Sequence, residues 1–154
     1  MHKRIITWSI AVIIVIAIIY FLVQFQGNEP NSGPYSKGQI HWHASLKVFI
    51  CGEEQQMPVP IGQSHLGTPL LHTHEDKRIH IEGTVWKPED ITLGKYMDAI
   101  GKNFKDDQLL DKKNGDLCNE QPGKVKLFVN GKESPELTNF VIKEGDKYEL
   151  RFEP

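Results

Sequence analysis

Apolar positions fall into two regimes along the chain. From Ile5 to Phe25, "IITWSIAVIIVIAIIYFLVQF", 21 residues pass without a charge, and at about 1.5 Å per residue a helix of that length crosses a roughly 30 Å hydrocarbon core. From Ile40 onward the apolar runs are short and alternate. Trp42, Ala44, Leu46, Val48 and Ile50 recur with period two, which predicts a strand carrying them on one face and His41, His43, Ser45, Lys47 and Phe49 on the other. Leu93, Tyr96, Met97, Ile100 and Phe104 instead follow helical spacing and predict one amphipathic helix, with Thr92 or Asp90 able to cap its start and Gly101 near its end. Tyr148, Leu150 and Phe152 alternate with Lys147, Glu149 and Arg151, so a strand closes the chain after the turn at Glu144-Gly145-Asp146.

Two stretches resemble each other. "LKVFICGEE" from Leu46 aligns with "VKLFVNGKE" from Val125, and Asn130-Gly131 is a strong two-residue hairpin signal because both turn residues take positive φ. Cys51-Gly52 holds the same place in the first copy, where cysteine is a poor fit. The polar segment "KDDQLLDKKNGDLCNEQPG" reads as a long loop carrying Cys118. These elements predict an α+β fold, a mostly antiparallel sheet with one amphipathic helix, preceded by one transmembrane helix. A β-grasp-like sheet is the first expectation and a small β-sandwich with a helical insertion the second.

The apolar run exceeds the roughly 7 to 15 residues of a cleavable signal and ends without an A-x-A pattern, which favours a retained anchor. Lys3 and Arg4 precede it and Lys37 is the next basic residue, so the positive-inside rule puts residues 1–4 in the cytoplasm, 5–25 in the cell membrane as a single pass, and the rest outside. Residues 26–39, rich in Gly, Pro, Ser and Asn, read as a flexible stalk, and 40–154 as the extracytoplasmic domain. From Gln26 to Pro154 the net charge is 16 − 20 = −4, which offers no basic surface for nucleic acid. Cys51 and Cys118 are the only cysteines and, in an oxidising compartment, candidates for one disulfide.

Candidate chemistry lies in three polar pairs at i and i+2: His41 and His43, His72 and His74, His80 and Glu82. On a strand such pairs point to the same side, roughly 7 Å apart, while Trp42, Leu71, Thr73, Ile79 and Ile81 take the opposite one. A hairpin with His74 opposite His80, His72 opposite Glu82 and Thr73 opposite Ile81 brings four ligands to one patch, whereas a slip by one residue sets each histidine against an apolar partner. Imidazole and carboxylate suit zinc, copper, iron or nickel rather than calcium or magnesium; copper, at the top of the affinity series for nitrogen ligands, leads zinc narrowly. His2 and His65 read as ordinary surface histidines.

Together "HWHASLKVFI", "PVPIG", "LLHTHEDKRIHIEG", "TLGKYMDAIG" and "VKLFVNGK" resemble a group of N-terminally membrane-anchored archaeal and bacterial proteins that share HWH, LHTH and IHIE motifs. The resemblance covers most of Ile40 to Phe152 and implies an anchored outer domain without supplying an activity. Three readings remain open from the sequence. One is an anchored domain that holds or delivers copper or zinc through His41, His43, His72, His74, His80 and Glu82. Another is a small metalloenzyme with an open histidine-ligated position and Glu82 or Glu75 as base. The third is an accessory subunit whose histidine face docks on a protein partner in a membrane complex.

Overall fold

The structure, a computed structural model, describes residues 14–21, 33–62 and 64–154. Residues 14–21 are helical; the rest of the expected membrane segment, 5–25, lies outside the described residues, as do residues 1–4 and 26–32. Among the described residues no helix is long and apolar enough to cross a membrane. Pro34–Pro154 forms a compact unit of its own. It starts earlier than Ile40: Ser36 is buried, its amide donates to the Val85 carbonyl (3.1 Å) and its hydroxyl accepts from the Val85 amide (2.9 Å), so the end of the expected stalk is tied to the domain.

Among the described residues thirteen strands follow in chain order: β1 (Gln39–Ile50), β2 (Glu53–Gln55), β3 (Leu66–Gly67), β4 (Leu71–Thr73), β5 (Arg78–Thr84), β6 (Phe104–Lys105), β7 (Gln108–Leu109), β8 (Lys112–Lys113), β9 (Leu117–Cys118), β10 (Gln121–Pro122), β11 (Lys124–Val129), β12 (Lys132–Ser134) and β13 (Lys147–Glu153). The main sheet runs β12-β11-β13-β1-β5-β4-β3, with β2 folded back on the end of β1. All its pairings are antiparallel except β1 with β13, the parallel centre, where Leu46 pairs with Tyr148 and Val48 with Leu150. The fold is thus α+β with mostly antiparallel pairing.

Alternation holds across the sheet. Ala44, Val48, Ile79, Ile81, Leu127, Tyr148, Leu150 and Phe152 point into one core together with Leu93, Tyr96 and Met97 of the α-helix Leu93–Ala99. Seven residues make a helix too short to persist alone, so its buried stripe holds it in place. Thr92 caps it by accepting from the Lys95 amide (3.4 Å). Gly101, at φ +70°, turns the chain out of it while the Lys102 and Gly101 amides donate to the Met97 and Asp98 carbonyls, the Schellman ending. Phe104 continues the apolar stripe beyond the helix as part of β6.

The two similar segments fold alike. Cys51 and Gly52 take φ of 53° and 87°, Asn130 and Gly131 take 52° and 82°, and Phe49 pairs with Glu54 as Phe128 does with Glu133. Arg151 of β13 lies between the two copies, its guanidinium 5.5 Å from the Phe49 ring centre and 4.7 Å from that of Phe128. Cys51 tolerates its left-handed turn as one end of a disulfide to Cys118, 67 residues on, with Cα atoms 5.3 Å apart. The segment expected to be a long loop is instead two small ladders, β6-β7-β8 and β9-β10. Their strands are two residues each, too short for an alternating pattern to register. Before the last turn the chain forms a 3-10 turn, Leu137–Asn139, and one bridge from Val141 to Thr92.

Candidate metal centre

β5 lies between β1 and β4, and their shared open face carries the polar pairs. His41 sits opposite Glu82 and His43 opposite His80 on one side, and His72 opposite His80 on the other. The β4–β5 hairpin differs from expectation by two residues: Thr73 pairs with Ile79 and Leu71 with Ile81. A shift of two keeps every side chain on its face, so the cluster survives where a shift of one would have destroyed it. The turn that sets this register contains no glycine. Asp76 accepts from the Arg78 amide (3.1 Å), the Lys77 amide donates to the His74 carbonyl (3.2 Å), and Lys77 takes the left-handed conformation at φ +60°.

His72, His74, His80 and Glu82 bring one ligand atom each to within 4.8 Å of one another, and His41, His43 and His80 do the same on the β1 side. All six residues expected from the sequence therefore meet, in two groups that share His80. His72 and His80 are buried, at 4% and 6% exposure, whereas the Glu82 side chain is 39% exposed and that of His41 61%.

Hydrogen-bond partners assign the imidazole protons. His72 Nδ1 lies 3.2 Å from the Thr68 carbonyl and His74 Nδ1 is held on the Ser64 carbonyl. Carbonyls only accept, so both Nδ1 atoms carry the hydrogen, and in the neutral rings both Nε2 atoms carry lone pairs. Yet those two Nε2 atoms face each other at 3.2 Å. His80 is turned the other way: its Nε2–H donates to Asp76 Oδ2 at 3.0 Å, and its Nδ1 is buried without a hydrogen-bond partner. Burial, opposed in part by the Glu82 carboxylate, pushes the His72 pKa below 6.5 and keeps that ring neutral. His43 is lowered too, by burial first and then by the charges of His80, Arg78 and His41. Three lone pairs and a carboxylate thus lie within 4.8 Å of one another, a gathering that a bound cation makes favourable.

The spacing fits an ion. Metal–nitrogen bonds of about 2.0 Å around a tetrahedral centre put neighbouring ligand atoms about 3.3 Å apart. His72 Nε2 to His74 Nε2 is 3.2 Å, His80 Nδ1 to Glu82 Oε1 3.7 Å and His72 Nε2 to Glu82 Oε1 3.8 Å. Each imidazole also has its outer nitrogen engaged by an acceptor, the arrangement that orients metal-bound histidines.

Two residues of the site were not expected. Asp76, at the hairpin turn, orients His80; its only signal in the sequence was a carboxylate in the loop between two candidate ligands. His65, set aside as a surface residue, stands with its ring 5.1 Å from that of His72 and 6.5 Å from that of His74. It precedes β3, whose Leu66 pairs with Thr73 and Gly67 with His72, and a two-residue strand gives no alternation to reveal it. Thr68 and Ser64 act through their carbonyls, which any residue type supplies.

No family model matches the chain, and neither the curated proteins nor the solved structures include a significant match.

Proposed function

We propose that this domain binds one transition-metal ion through His72 Nε2, His74 Nε2, His80 Nδ1 and Glu82, and that it holds or delivers the ion rather than transforming a substrate. The observation that carries this reading is the convergence of lone-pair nitrogens, above all the 3.2 Å approach of His72 Nε2 to His74 Nε2 with both protons directed outward. A fourth ligand in Glu82 closes the set, and catalytic sites keep a position open.

The choice of metal narrows to zinc or copper, and the spacings move the preference to zinc. Adjacent ligands of a square-planar copper(II) ion would stand about 2.8 Å apart, and the His72–His74, His72–Glu82 and His80–Glu82 separations, 3.2 to 3.8 Å, are longer. The strand order, with a parallel central pair between the first and last long strands and a helix across one face, supports a β-grasp type of sheet as the scaffold. The disulfide supports a place outside the cytoplasm, in keeping with an anchor at 5–25 and a cytoplasmic N-terminus.

Elemental analysis of the full chain, purified without a histidine tag, tests the reading. One zinc or copper per chain, lost in a His72→Ala, His74→Ala double variant of unchanged fold, is the expected result. No retained or reloadable metal in the wild-type chain would refute it.

A further inference from the structure

Two of the inner ligands are enclosed: His72 and His80 are almost fully buried, whereas His74 and Glu82 are half-buried, Glu82 on the side of β1. Glu82 is not free on that side: its Oε1 lies 2.9 Å from His41 Nε2 as well as 3.7 Å from His80 Nδ1 and 3.8 Å from His72 Nε2. His41 in turn lies beside His43 with ring centres 4.6 Å apart and the rings tilted by 41°, and His43 meets the His80 ring edge-on at the same distance. Exposure therefore falls in steps from His41 through His43 to His80, along residues that the β1–β5 register makes direct neighbours.

Resting on the metal reading above, we infer that His41 and His43 form a loading station for the inner site: an incoming zinc ion is caught by the exposed pair and passed inward by ligand exchange, with His80 common to both positions. His80 belongs to both ligand groups, so one ion occupies one station at a time. Bonds to His41 and His43 are given up as bonds to His72 and His74 form, and Glu82 exchanges its contact with His41 for one with the ion. No proton need leave His72 or His74, whose inner nitrogens already carry lone pairs. The ion is never stripped of all its protein ligands, and the inner imidazoles act at the high effective concentration of a tethered second site.

A station on the path has a kinetic signature that an ordinary ligand lacks. It lowers the barrier in both directions, so its removal slows loading and release together, while loss of a resident ligand speeds release. The test is stopped-flow loading of the full-length chain with Zn2+ against a fluorescent zinc indicator, and release to excess chelator. Wild type is compared with His41→Ala, His43→Ala and with His41→Gln, His43→Gln, which retains side-chain bulk on β1. Both variants should still bind one zinc per chain, with loading and release each slowed about tenfold or more and the equilibrium constant changed far less than either rate. Unchanged rates in both variants, or faster release, would overturn the station while leaving the inner site standing. A wild-type chain that takes up no zinc would overturn the metal reading and the station with it.

Discussion

The sharpest probe of the proposed centre is a residue that would never touch the ion. Asp76 sits in the β4–β5 turn, and its carboxylate receives the His80 Nε2 proton at 3.0 Å from Oδ2 and 3.2 Å from Oδ1. That bond fixes the tautomer: with hydrogen on Nε2, the lone pair is on Nδ1, which faces Glu82 Oε1 at 3.7 Å. Carboxylate partners of metal-bound histidines are worth about 10- to 100-fold in affinity, which is about 1.4 to 2.7 kcal/mol. Here the lower end applies, because the Asp76 side chain is 42% exposed and water screens its charge, although the His80 side chain is only 8% exposed. Asp76→Asn keeps an acceptor for either the Arg78 amide or His80 but removes the charge, and zinc affinity should fall about tenfold. Asp76→Ala also frees the competing tautomer, whose hydrogen must move from Nδ1 to Nε2 before the ion binds, so its loss should be larger. Competition titration of each full-length variant against a zinc chelator reads both effects. Wild-type affinity in both variants, alongside lost binding in His72→Ala, His74→Ala, would mean that His80 does not ligate through Nδ1.

Three further predictions concern the frame around the site. Loss of the Cys51–Cys118 bridge, which closes a loop of 67 residues, should lower stability by about 4 kcal/mol on loop-entropy grounds; denaturant unfolding of Cys51→Ser, Cys118→Ser against wild type measures it, and an unchanged midpoint would refute it. Gly67, at φ +128°, has room for no side chain, since a Cβ there would stand 2.6 Å from the Leu71 carbonyl oxygen and 2.8 Å from His72 Cα. Gly67→Ala should therefore push β3 off β4, costing about 3 kcal/mol and weakening metal binding with it, to be read by thermal unfolding and zinc titration. Finally, because His72 and His43 have folded-state pKa values below 6.5, the unfolded chain takes up protons first on acidification. Their contribution to the stability of the metal-free domain is then intact above about pH 6.5 and lost as pH falls through the lower folded values, and a urea midpoint that rises between about pH 6.5 and 5 would contradict it.

How far the fold could be read ahead depended on element length. β1, with 12 residues, β13, with seven, and β11, with six, are long enough to repeat their alternation several times, and each was legible. The parallel pairing of β1 with β13 was not, because alternation reports which face a side chain takes and says nothing of which strand lies beside it. The five short strands from Phe104 to Pro122 have two residues apiece, so glycines and asparagines at their turns dominate the local composition. The docking of Ser36 onto Val85 depends on backbone bonds, which leave no trace in residue type.

For the metal centre, the legible quantity was parity rather than register. Expected pairing put His74 opposite His80, and the hairpin instead pairs His72 with His80, yet the same ligands converge. On a pleated sheet all pairings that differ by two residues keep the same face, so the sequence selects the ligand set without selecting the edge along which they meet. What decides among the permitted registers is the turn, through Asp76 on the Arg78 amide and Lys77 at positive φ. The same Asp76 orients His80, so one side chain both fixes the hairpin and directs a lone pair at the site. His65 shows the converse: it carries ligand chemistry but lies before a strand of two residues, and with no repeat to set its phase, nothing in the sequence could assign it a face. The histidine pairs were readable because i and i+2 spacing encodes a face twice over, and the acceptors behind them were not, because the Thr68 and Ser64 carbonyls are chosen by where the backbone runs.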